Sequence, residues 1–510
     1  MAMSTGTGRR TARTAGYDVV LVGGGSAGCV LARRLSEDPA CNVLLLEAGH
    51  AYRPDQYPKV LASIDYFGGG PEYDWGYHTE PGRLGYSIVA RSGKVLGGGS
   101  AVNAGVAKRA RPSDFARWRH HGLDGWDFDS VLRAYKELEN TPTGEDAWHG
   151  RSGPFPIRQP TLDELTATLR AFVEASVAAG FERIDDFNGP AQHGVGVDPL
   201  NVVDGVRQNT GIAYLTAEVR ERSNLTIRGD AQVDRIEFEG KRATRVRLLD
   251  GESLSATEII LCAGAYGSPA VLLRSGIGPA DHLAEHDIDV VAELPVGSHL
   301  VDQPFYFDTY ALKASAGEMH PWRPTTLWTK SALAADEELD LQITVSDSFD
   351  TLTLATAVMT PRSRGTVRLR SRDPRVGPLI DFNLLAEDHD RRRLLDGVNL
   401  SRRIGRLPPL VSIIDHEVAP ATGHAMDDNA LLSTIEANLD TYHHGCSTVP
   451  MGSDRDQHAV VDAQGAVRHV QGLRVVDASI FPEIPSTPTN LTTIMLAERM
   501  AASLRNAWSS

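Results

Sequence analysis

The chain has 510 residues, a formal net charge of −15 and the proportions of charged and apolar residues that are typical of a globular protein. A chain of this length exceeds what one hydrophobic core usually serves, so we expect two or more packed units. The acidic balance argues against nucleic acid and anionic membrane surfaces as partners, and no run reaches the roughly 18 apolar residues of a membrane span.

The four cysteines are far apart in the chain and form no C-x-x-C pair. The sequence therefore predicts neither a disulfide framework nor a zinc ribbon, and this usage suits a reducing compartment. The first 16 residues contain arginines but lack the apolar segment of a secretory signal. We therefore expect a cytoplasmic protein.

A βαβ unit is predicted at the start of the chain. Tyr17–Val22 is a short apolar run with the length of a buried parallel strand, and Asn42–Leu46 is a second one. Cys29–Leu35 between them has the pattern of a helix. The glycine-rich turn after the first strand has the G-x-G-x-x-G order of a dinucleotide-binding site.

Each glycine of this turn has a physical role. Gly23 permits the tight turn, Gly25 lets the backbone approach a pyrophosphate, and Gly28 packs the helix against the strand. Glu47 ends the second strand, where an acid accepts hydrogen bonds from a ribose diol and disfavours NADP. The motif alone does not separate FAD from NAD. The residues expected to contact the dinucleotide here are Gly23, Gly25, Ser26, Ala27, Gly28, Glu47 and Ala48.

Further along the chain the pattern predicts a loop, a strand group and a second sheet. Asp185–Gly205 is rich in Gly, Pro and Asn and is predicted to be a loop. Residues 302–381 have the pattern of antiparallel strands with longer connections, and Thr492–Arg505 is predicted to be the last helix. Three short strands are predicted in meander order, at Leu225–Gly229, Gln232–Phe238 and Thr244–Leu249.

Several separate segments resemble one family. GKVLGGGSAVN at Gly93–Asn103 resembles the first signature of the glucose–methanol–choline (GMC) flavin oxidoreductases, and GAYGSPAVLLRSGIG at Gly264–Gly278 resembles the second. HGCSTVPMG from His444 and the stretch Val475–Ala501 are also similar to that family. The chain is therefore identified as a member of this group, which includes choline dehydrogenases and alcohol oxidases.

The resemblance implies an α/β architecture. We expect a discontinuous Rossmann-like FAD-binding domain and an α+β substrate domain built on a mixed or antiparallel sheet. The expected FAD-binding segments are 16–155, 201–300 and 441–510, and the expected substrate-domain segments are 156–200 and 301–440.

The resemblance also implies FAD as the cofactor. Some members attach FAD through a His that corresponds to Val102 here, so we expect noncovalent binding. The backbone at Val233 corresponds to the position that contacts the adenine, and Asp477 and Ala478 to positions beside the pyrophosphate or ribityl chain. The further residues implied in cofactor binding are Val95, Gly98, Ser100, Asn103, Val106, Val233, Ala263, Gly264, Asp477, Ala478, Asn490, Leu491 and Thr492.

Alignment with the family places the catalytic pair at His444 and Asn490. Histidine suits proton removal because its unperturbed pKa lies near neutral pH. An amide can donate a hydrogen bond to the substrate oxygen without competing as a base. The helix beginning near Asn490 should point its N-terminus at the flavin N1–C2 edge, where reduction places negative charge. Gln303 stands where the family commonly has a His.

These residues admit two alternative interpretations. His443 is the neighbouring candidate for the base. A metal site formed by His443, His444 and Cys446 is disfavoured, because adjacent histidines project in different directions on an extended chain and no fourth ligand has suitable spacing. We therefore expect no metal.

The predicted function is FAD-dependent oxidation of a primary or secondary alcohol, with proton abstraction by His444 and hydride transfer to flavin N5. The alternative is a non-redox GMC flavoprotein of the lyase or photodecarboxylase kind. The expected partners are a small alcohol and oxygen or another electron acceptor, and the sequence does not separate an oxidase from a dehydrogenase. Aromatic residues that could shape an apolar pocket are Trp75, Tyr77, Trp322 and Trp328.

Overall fold

Two large sheets organise the molecule. The structure, a computed structural model, describes residues 16–317, 323–335, 337–348, 351–420 and 426–509. Each sheet has seven strands and packs against helices, so each forms its own buried apolar cluster. This is the α/β organisation with a sheet-based second unit that the sequence predicts.

The first sheet has a parallel centre around the strand Tyr17–Val22. Val43–Leu46 lies on one side of it and Ser253–Leu261 on the other, both parallel to it. The inner residues of this strand are buried because helices cover both faces, which is why the run is continuously apolar. The strand order is Leu225–Arg228, Val43–Leu46, Tyr17–Val22, Ser253–Leu261, Arg242–Leu248 and Val233–Glu239, with Leu473–Val475 also pairing with Ser253–Leu261.

The predicted three-strand meander is wrong in its first member. Leu225–Arg228 pairs in parallel with Val43–Leu46 and extends the central sheet. The antiparallel meander instead consists of Val233–Glu239, Arg242–Leu248 and Ser253–Leu261. Short alternating strands have the same local pattern in both arrangements, so the pattern could not decide which neighbour each strand takes.

Two helices that begin near the cavity start earlier than predicted. The first extends over Ser26–Leu35 rather than Cys29–Leu35, with Gly25 in extended conformation at its N-cap. The last extends over Thr489–Ser509, so that Asn490 lies in its first turn. These two helices pack against each other, which brings the two ends of the chain together.

The second sheet is antiparallel throughout. Of the two expected arrangements, mixed or antiparallel, the structure has the antiparallel one. Its edge strand Gly194–Val197 pairs with Thr325–Thr329, so the loop predicted over Asp185–Gly205 contains a strand. The helix Asp388–Gly405 packs on this sheet. The strand order is Ile414–Ala419, Pro304–Leu312, Thr351–Val358, Leu341–Ser348, Thr325–Thr329 and Gly194–Val197, with Asp440–Thr441 also pairing with Pro304–Leu312.

The remaining elements connect and cover the two sheets. The other helices of eight or more residues are Pro112–Arg119, Phe128–Leu138, Ala167–Ala178, Gly264–Arg274 and Asp428–Ala437. The shorter helices are Lys59–Ala62, Pro71–Tyr73, Gly82–Leu84, Gly99–Val102, Leu162–Glu164, Thr210–Ala213, Ala217–Arg220, Ala280–Ala284, Ala314–Ala316, Leu410–Ile413 and Ala478–Ile480. The minor strands are Glu139–Asn140, Phe155–Pro156, Val202–Val203, Val206–Arg207, Ile277–Gly278, Ala292–Glu293, Thr366–Arg368 and Leu379–Asp381.

All four cysteines are free and buried. Cys29 lies in the first helix directly below the glycine turn, where its Sγ is 3.1 Å from the carbonyl oxygen of Gly24. Cys262 directly follows the strand Ser253–Leu261 beside that turn and lines the cavity described below. Among the residues that the structure describes, no helix is long and apolar enough to cross a membrane.

Candidate active site

A cavity of about 560 Å³ lies between the two sheets. One end opens at the carboxyl ends of the parallel strands, where Val22, Leu46 and Cys262 line it. Ligands bind at this edge of open α/β sheets. The other end is bordered by the antiparallel sheet through Phe305 and Thr344. A long ligand can therefore reach from the first sheet to the second.

Most of the predicted site residues line this one cavity although they come from widely separated segments of the chain. They are Gly23, Gly25, Ser26, Ala27, Glu47, Ala48, Gly98, Asn103, Val106, Val233, Ala263, Gly264, His444, Asp477, Ala478 and Asn490. The neighbouring His443 lines it too. The fold therefore assembles both the proposed dinucleotide contacts and the proposed catalytic pair.

Four predicted contacts lie behind the cavity wall, and we correct them to supporting positions. Val95 and Leu491 are buried in apolar clusters. The Ser100 hydroxyl donates to the carbonyl oxygen of Gly97 at 2.6 Å, and Thr492 Oγ1 shares a hydrogen bond of 2.8 Å with a buried tyrosine hydroxyl. Successive side chains of a helix point in different directions around its axis, so proximity in sequence to a wall residue did not place Ser100, Leu491 or Thr492 on the wall.

Gly28 is also absent from the wall, and its role is packing, as its place in the motif predicts. A Cβ at Gly28 would lie 2.0 Å from the carbonyl oxygen of Gly23, so any side chain would push the helix off the strand. Gly23 itself has a φ of +105°, which favours glycine. Gly25 and Gly98 also approach closely, since a Cβ on Gly98 would lie 2.7 Å from the Gly25 Cα. The glycine loop at Gly23–Gly28 and the one around Gly98 thus pack directly against each other at the cavity wall.

Glu47 holds the loop around it as well as facing the cavity. One carboxylate oxygen accepts a hydrogen bond from the Gly24 amide and the other from the Gly49 amide, each at 2.8 Å. Burial raises the pKa of this carboxyl, and the two backbone amides oppose that shift. Each oxygen keeps a second lone pair, so both can still accept a hydrogen bond from a ribose hydroxyl.

Asp477 connects three segments beside Cys262. Its Oδ2 accepts hydrogen bonds from the Gly264 amide at 2.9 Å and the Ser268 hydroxyl at 2.6 Å, and its Oδ1 accepts one from the Ser479 amide at 2.8 Å. Both oxygens of its carboxylate therefore already accept hydrogen bonds from protein groups. The same contacts hold the N-terminus of Gly264–Arg274 against the cavity, where a helix end favours phosphate.

His444 is held on two sides. Its backbone amide donates to Asp302 Oδ1 at 3.0 Å, and its ring Nδ1 is 2.6 Å from Gln303 Oε1. Burial, with His443 as a second cause, lowers the pKa of His444 to about 3. The near-neutral pKa expected from an ordinary histidine therefore does not apply here, and the imidazole is neutral across physiological pH. The same burial raises the pKa of Asp302 to about 7.

Asn490 presents an unused donor. Its Oδ1 accepts a hydrogen bond of 2.7 Å from the hydroxyl of Ser26, which joins the first turns of the two helices. Its Nδ2 is buried and has no hydrogen-bond partner in the described part of the chain. A buried amide N–H without a partner is costly, so a ligand oxygen in the cavity would satisfy it.

Other cavity residues were not predicted from the sequence. Phe305 stacks on Tyr442 with ring centroids 4.3 Å apart, and Phe305 also contacts Phe307 at 4.6 Å. Polar groups at the same end are Asp198 and Gln342. The strand predictions covered part of this sheet, but which strand side faces the cavity depends on pairings between distant segments, and no local pattern reveals them.

The aromatic residues expected to shape a pocket divide into two groups. Trp75 and Tyr77 line the cavity and stack on each other at 5.7 Å. Trp328 is buried away from it, under the Lys108 ammonium at 4.2 Å and the Arg111 guanidinium at 4.5 Å from its ring. Trp322 lies outside the described residues.

These residues fit FAD. The two packed glycine loops present backbone to the cavity, as a pyrophosphate requires, and Glu47 presents a carboxylate there that can accept from a ribose diol. The buried Asn490 Nδ2, which has no partner in the described part of the chain, needs an acceptor. Gly264–Arg274 and Thr489–Ser509 both direct an N-terminus toward the cavity. A helix N-terminus stabilises negative charge such as a phosphate or a reduced flavin carries.

Comparison with known proteins identifies the family of the chain. Two sequence profiles of GMC oxidoreductases match residues 17–305 and 361–497. The chain is 35% identical over 541 residues to an oxygen-dependent choline dehydrogenase of Escherichia coli O45:K1 (strain S88 / ExPEC), covering 96% of this chain and 94% of that protein. The structure of pyridoxine 4-oxidase from Mesorbium loti superposes with a TM-score of 0.89 at 32% identity, covering 96% and 99% of the two chains.

A more distant neighbour shares the fold. A fungal aryl-alcohol oxidase superposes with a TM-score of 0.83 at 22% identity, covering 98% of this chain and 100% of that one. The profiles together cover most of this chain, and the matches extend over nearly its whole length. The chain belongs to the GMC oxidoreductase family, and it is an FAD-dependent oxidoreductase of CH–OH donors.

Proposed function

We propose that the chain oxidises a primary or secondary alcohol and that His444 removes the hydroxyl proton. Bound FAD supplies the hydride acceptor, flavin N5, which takes the hydride of the carbinol carbon. The observation that carries this proposal is the pair of unused polar groups on one cavity wall. His444 Nε2 has no hydrogen-bond partner among the described residues, and Asn490 Nδ2 is an orphan donor.

The two residues divide the work by their chemistry. Asn490 donates an N–H to the alcohol oxygen, which orients it and stabilises the negative charge that develops there. His444 accepts the proton at Nε2, because its depressed pKa keeps the ring neutral before reaction. The same depressed pKa makes the imidazolium a strong acid, so His444 returns the proton to solvent readily after the product leaves.

The alcohol end of the cavity supports small substrates with an apolar or aromatic body. Phe305, Phe307 and Tyr442 form a continuous aromatic wall, and Tyr442 also contacts the His444 ring at 4.4 Å. Asp198 and Gln342 add polar groups that can bind a substituent. Choline and pyridoxine, named in the relatives, are therefore sensible first probes.

The decisive experiment is anaerobic reduction of the flavin by a panel of choline, pyridoxine and benzyl alcohol. We expect at least one of them to bleach the flavin absorbance. Binding of all three without bleaching would contradict alcohol oxidation and favour the non-redox alternative. Peroxide formation and reduction of an artificial acceptor, measured side by side, then decide whether oxygen or another acceptor is the second substrate.

Noncovalent attachment of FAD forms part of the proposal. Val102 ends a short helix at the cavity wall, and its side chain has no atom able to form a covalent bond to the flavin. Acid precipitation should therefore release the flavin into the supernatant. Flavin that stays with the pellet would contradict this.

The division of the chain is proposed on strand pairing. Gly194–Val197 pairs with Thr325–Thr329, which supports assigning 156–200 together with 301–440 to the substrate domain. Segments 16–155, 201–300 and 441–510 form the FAD-binding domain in this proposal, because each contributes a strand to the first sheet. A cytoplasmic location is proposed on the four free thiols.

A further inference from the structure

Gln303 is a buried side chain whose amide makes three hydrogen bonds. Its Nε2 donates to the carbonyl oxygen of Met359 at 2.7 Å and to that of Pro485 at 3.1 Å. Its Oε1 lies 2.6 Å from Nδ1 of His444. Gln303 has no exposed surface, so water does not substitute for any of these partners.

The surroundings determine which end of this amide faces His444. A carboxamide has donors only on nitrogen and acceptors only on oxygen, and a backbone carbonyl can only accept. The opposite orientation would place the amide oxygen against two carbonyl oxygens and leave both without a donor. The NH₂ group therefore faces Met359 and Pro485, and the oxygen faces His444.

The orientation of the amide in turn determines the tautomer of the imidazole. A neutral imidazole carries one N–H, and a hydrogen bond of 2.6 Å to an acceptor requires that N–H at Nδ1. Nε2 then has a free lone pair, and it is the ring nitrogen without a partner in the described structure. We propose that Gln303 is a positioning residue that holds His444 in its Nδ1–H tautomer and so keeps Nε2 ready to accept a proton.

This inference rests on the proposed role of His444 as the base, and it explains one property of that base. A carboxylate in the place of Gln303 would orient the ring and also stabilise its charged form. The neutral amide orients the ring without stabilising the imidazolium, which agrees with the depressed pKa of His444. Orientation and basicity are thus separated at this site.

The first test observes the tautomer directly. Histidine-selective ¹⁵N labelling of the FAD-loaded protein, with the His444 signals assigned by their loss in His444→Ala, distinguishes protonated from unprotonated ring nitrogens. We expect a protonated Nδ1 and an unprotonated Nε2 in the wild type, and a mixture of tautomers in Gln303→Met. Gln159→Met is the matched control, because Gln159 also donates to a backbone carbonyl but lies off the cavity wall. A wild-type His444 protonated at Nε2 would overturn the proposal, even if no variant folds.

The second test measures flavin reduction with whichever of choline, pyridoxine and benzyl alcohol reduces the wild type fastest. Gln303→Met should lower the limiting reduction rate by roughly 10- to 100-fold, by analogy with the loss of a group that orients a metal-ligating histidine. FAD content and the substrate Kd should change little. Gln303→His should recover most of the rate, because its ring can accept from Nδ1–H and donate to a carbonyl.

The outcomes separate this proposal from the proposed function. A wild-type rate in Gln303→Met, or equal loss in Gln303→Met and Gln303→His without any change of tautomer, would reduce Gln303 to a packing role. A full rate in His444→Ala would remove the proposed base while leaving the NMR measurement of the tautomer valid.

Discussion

The two ends of the cavity are built by different means. At the end proposed to bind the dinucleotide, the wall consists of glycine loops and of Glu47, which itself holds the backbone amides of Gly24 and Gly49. At the end proposed to bind the alcohol, the wall presents the side chains of His444 and Asn490, which are oriented by residues from distant segments. One end depends on backbone shape and the other on side-chain hydrogen bonding.

This difference predicts which property a substitution at each end should change. Changes at the dinucleotide end should alter how much cofactor the protein holds, because they change the shape of the cradle that the two glycine loops and Glu47 form. Changes at the alcohol end should alter the rate of reduction in protein that is fully loaded. The following predictions test that separation, from the largest expected effect to the smallest.

His444→Ala should lower the rate of flavin reduction by roughly 10²–10⁴-fold, the usual scale for one general base. FAD content should stay near that of the wild type, because the change removes a reacting group and no part of the cradle. Anaerobic stopped-flow reduction and the absorbance ratio of flavin to protein measure the two effects. His443→Ala is the control. A dead His443→Ala beside a fully active His444→Ala would move the base to His443.

Asn490→Ala should lower the reduction rate by roughly 10²–10³-fold, as does loss of one donor to a developing oxyanion. Asn490→Asp is the matched variant, because it keeps an acceptor for the Ser26 hydroxyl but replaces the Nδ2 donor with another oxygen. If the donor is what matters, Asp should be as slow as Ala. An Asp variant at wild-type speed would assign Asn490 only to holding Ser26.

Glu47→Gln should weaken FAD binding by roughly 10- to 150-fold, since hydrogen bonds to charged groups contribute about 1.5–3 kcal/mol. Glutamine keeps one oxygen but turns an NH₂ toward the second loop amide, so the cradle loses its shape as well as its charge. Titration of the apoprotein with FAD measures the Kd. Glu37→Gln, at a surface ion pair away from the cavity, should leave the Kd unchanged. The reduction rate of loaded Glu47→Gln should remain near that of the wild type, and a large drop would break the separation.

The smallest expected effect is that of pH on the reduction step. Because the pKa of His444 is lowered to about 3, the base is already neutral throughout the range of about pH 5 to 8. The limiting reduction rate should therefore show no protonation limb from His444 in that range. Stopped-flow reduction across this range measures it. A limb near the ordinary histidine pKa that disappears in His444→Ala would mean that FAD or substrate restores the usual basicity.

The sequence predicted the strand, glycine turn and helix at the start of the chain because the determinants of these elements are local. Gly23 and Gly28 are needed at positions a few residues apart, so their spacing is itself the signal. Its errors there were errors of boundary, such as starting the first helix at Cys29 instead of Ser26. The family signatures added the proposed catalytic pair, which no local pattern indicates.

The surroundings of the proposed catalytic pair could not be predicted in the same way. Gln303 reaches Met359, His444 and Pro485, which are far apart in the chain and come together only when the fold is complete. The strand Gly194–Val197 looked like a loop because its composition is rich in glycine, and pairing with another strand overrides composition. The pKa of His444 likewise depends on burial, which spacing does not record.

The position of two thiols provides a way to measure how much FAD is bound. Cys29 and Cys262 lie beneath and beside the glycine turn, and both are buried in the folded protein. Burial also raises the pKa of each thiol, so neither is nucleophilic in the native state. A thiol reagent should therefore react only as fast as local unfolding around the glycine turn exposes these thiols. Because bound FAD covers the same turn, the labelling half-life should lengthen with FAD concentration and report loading without any turnover.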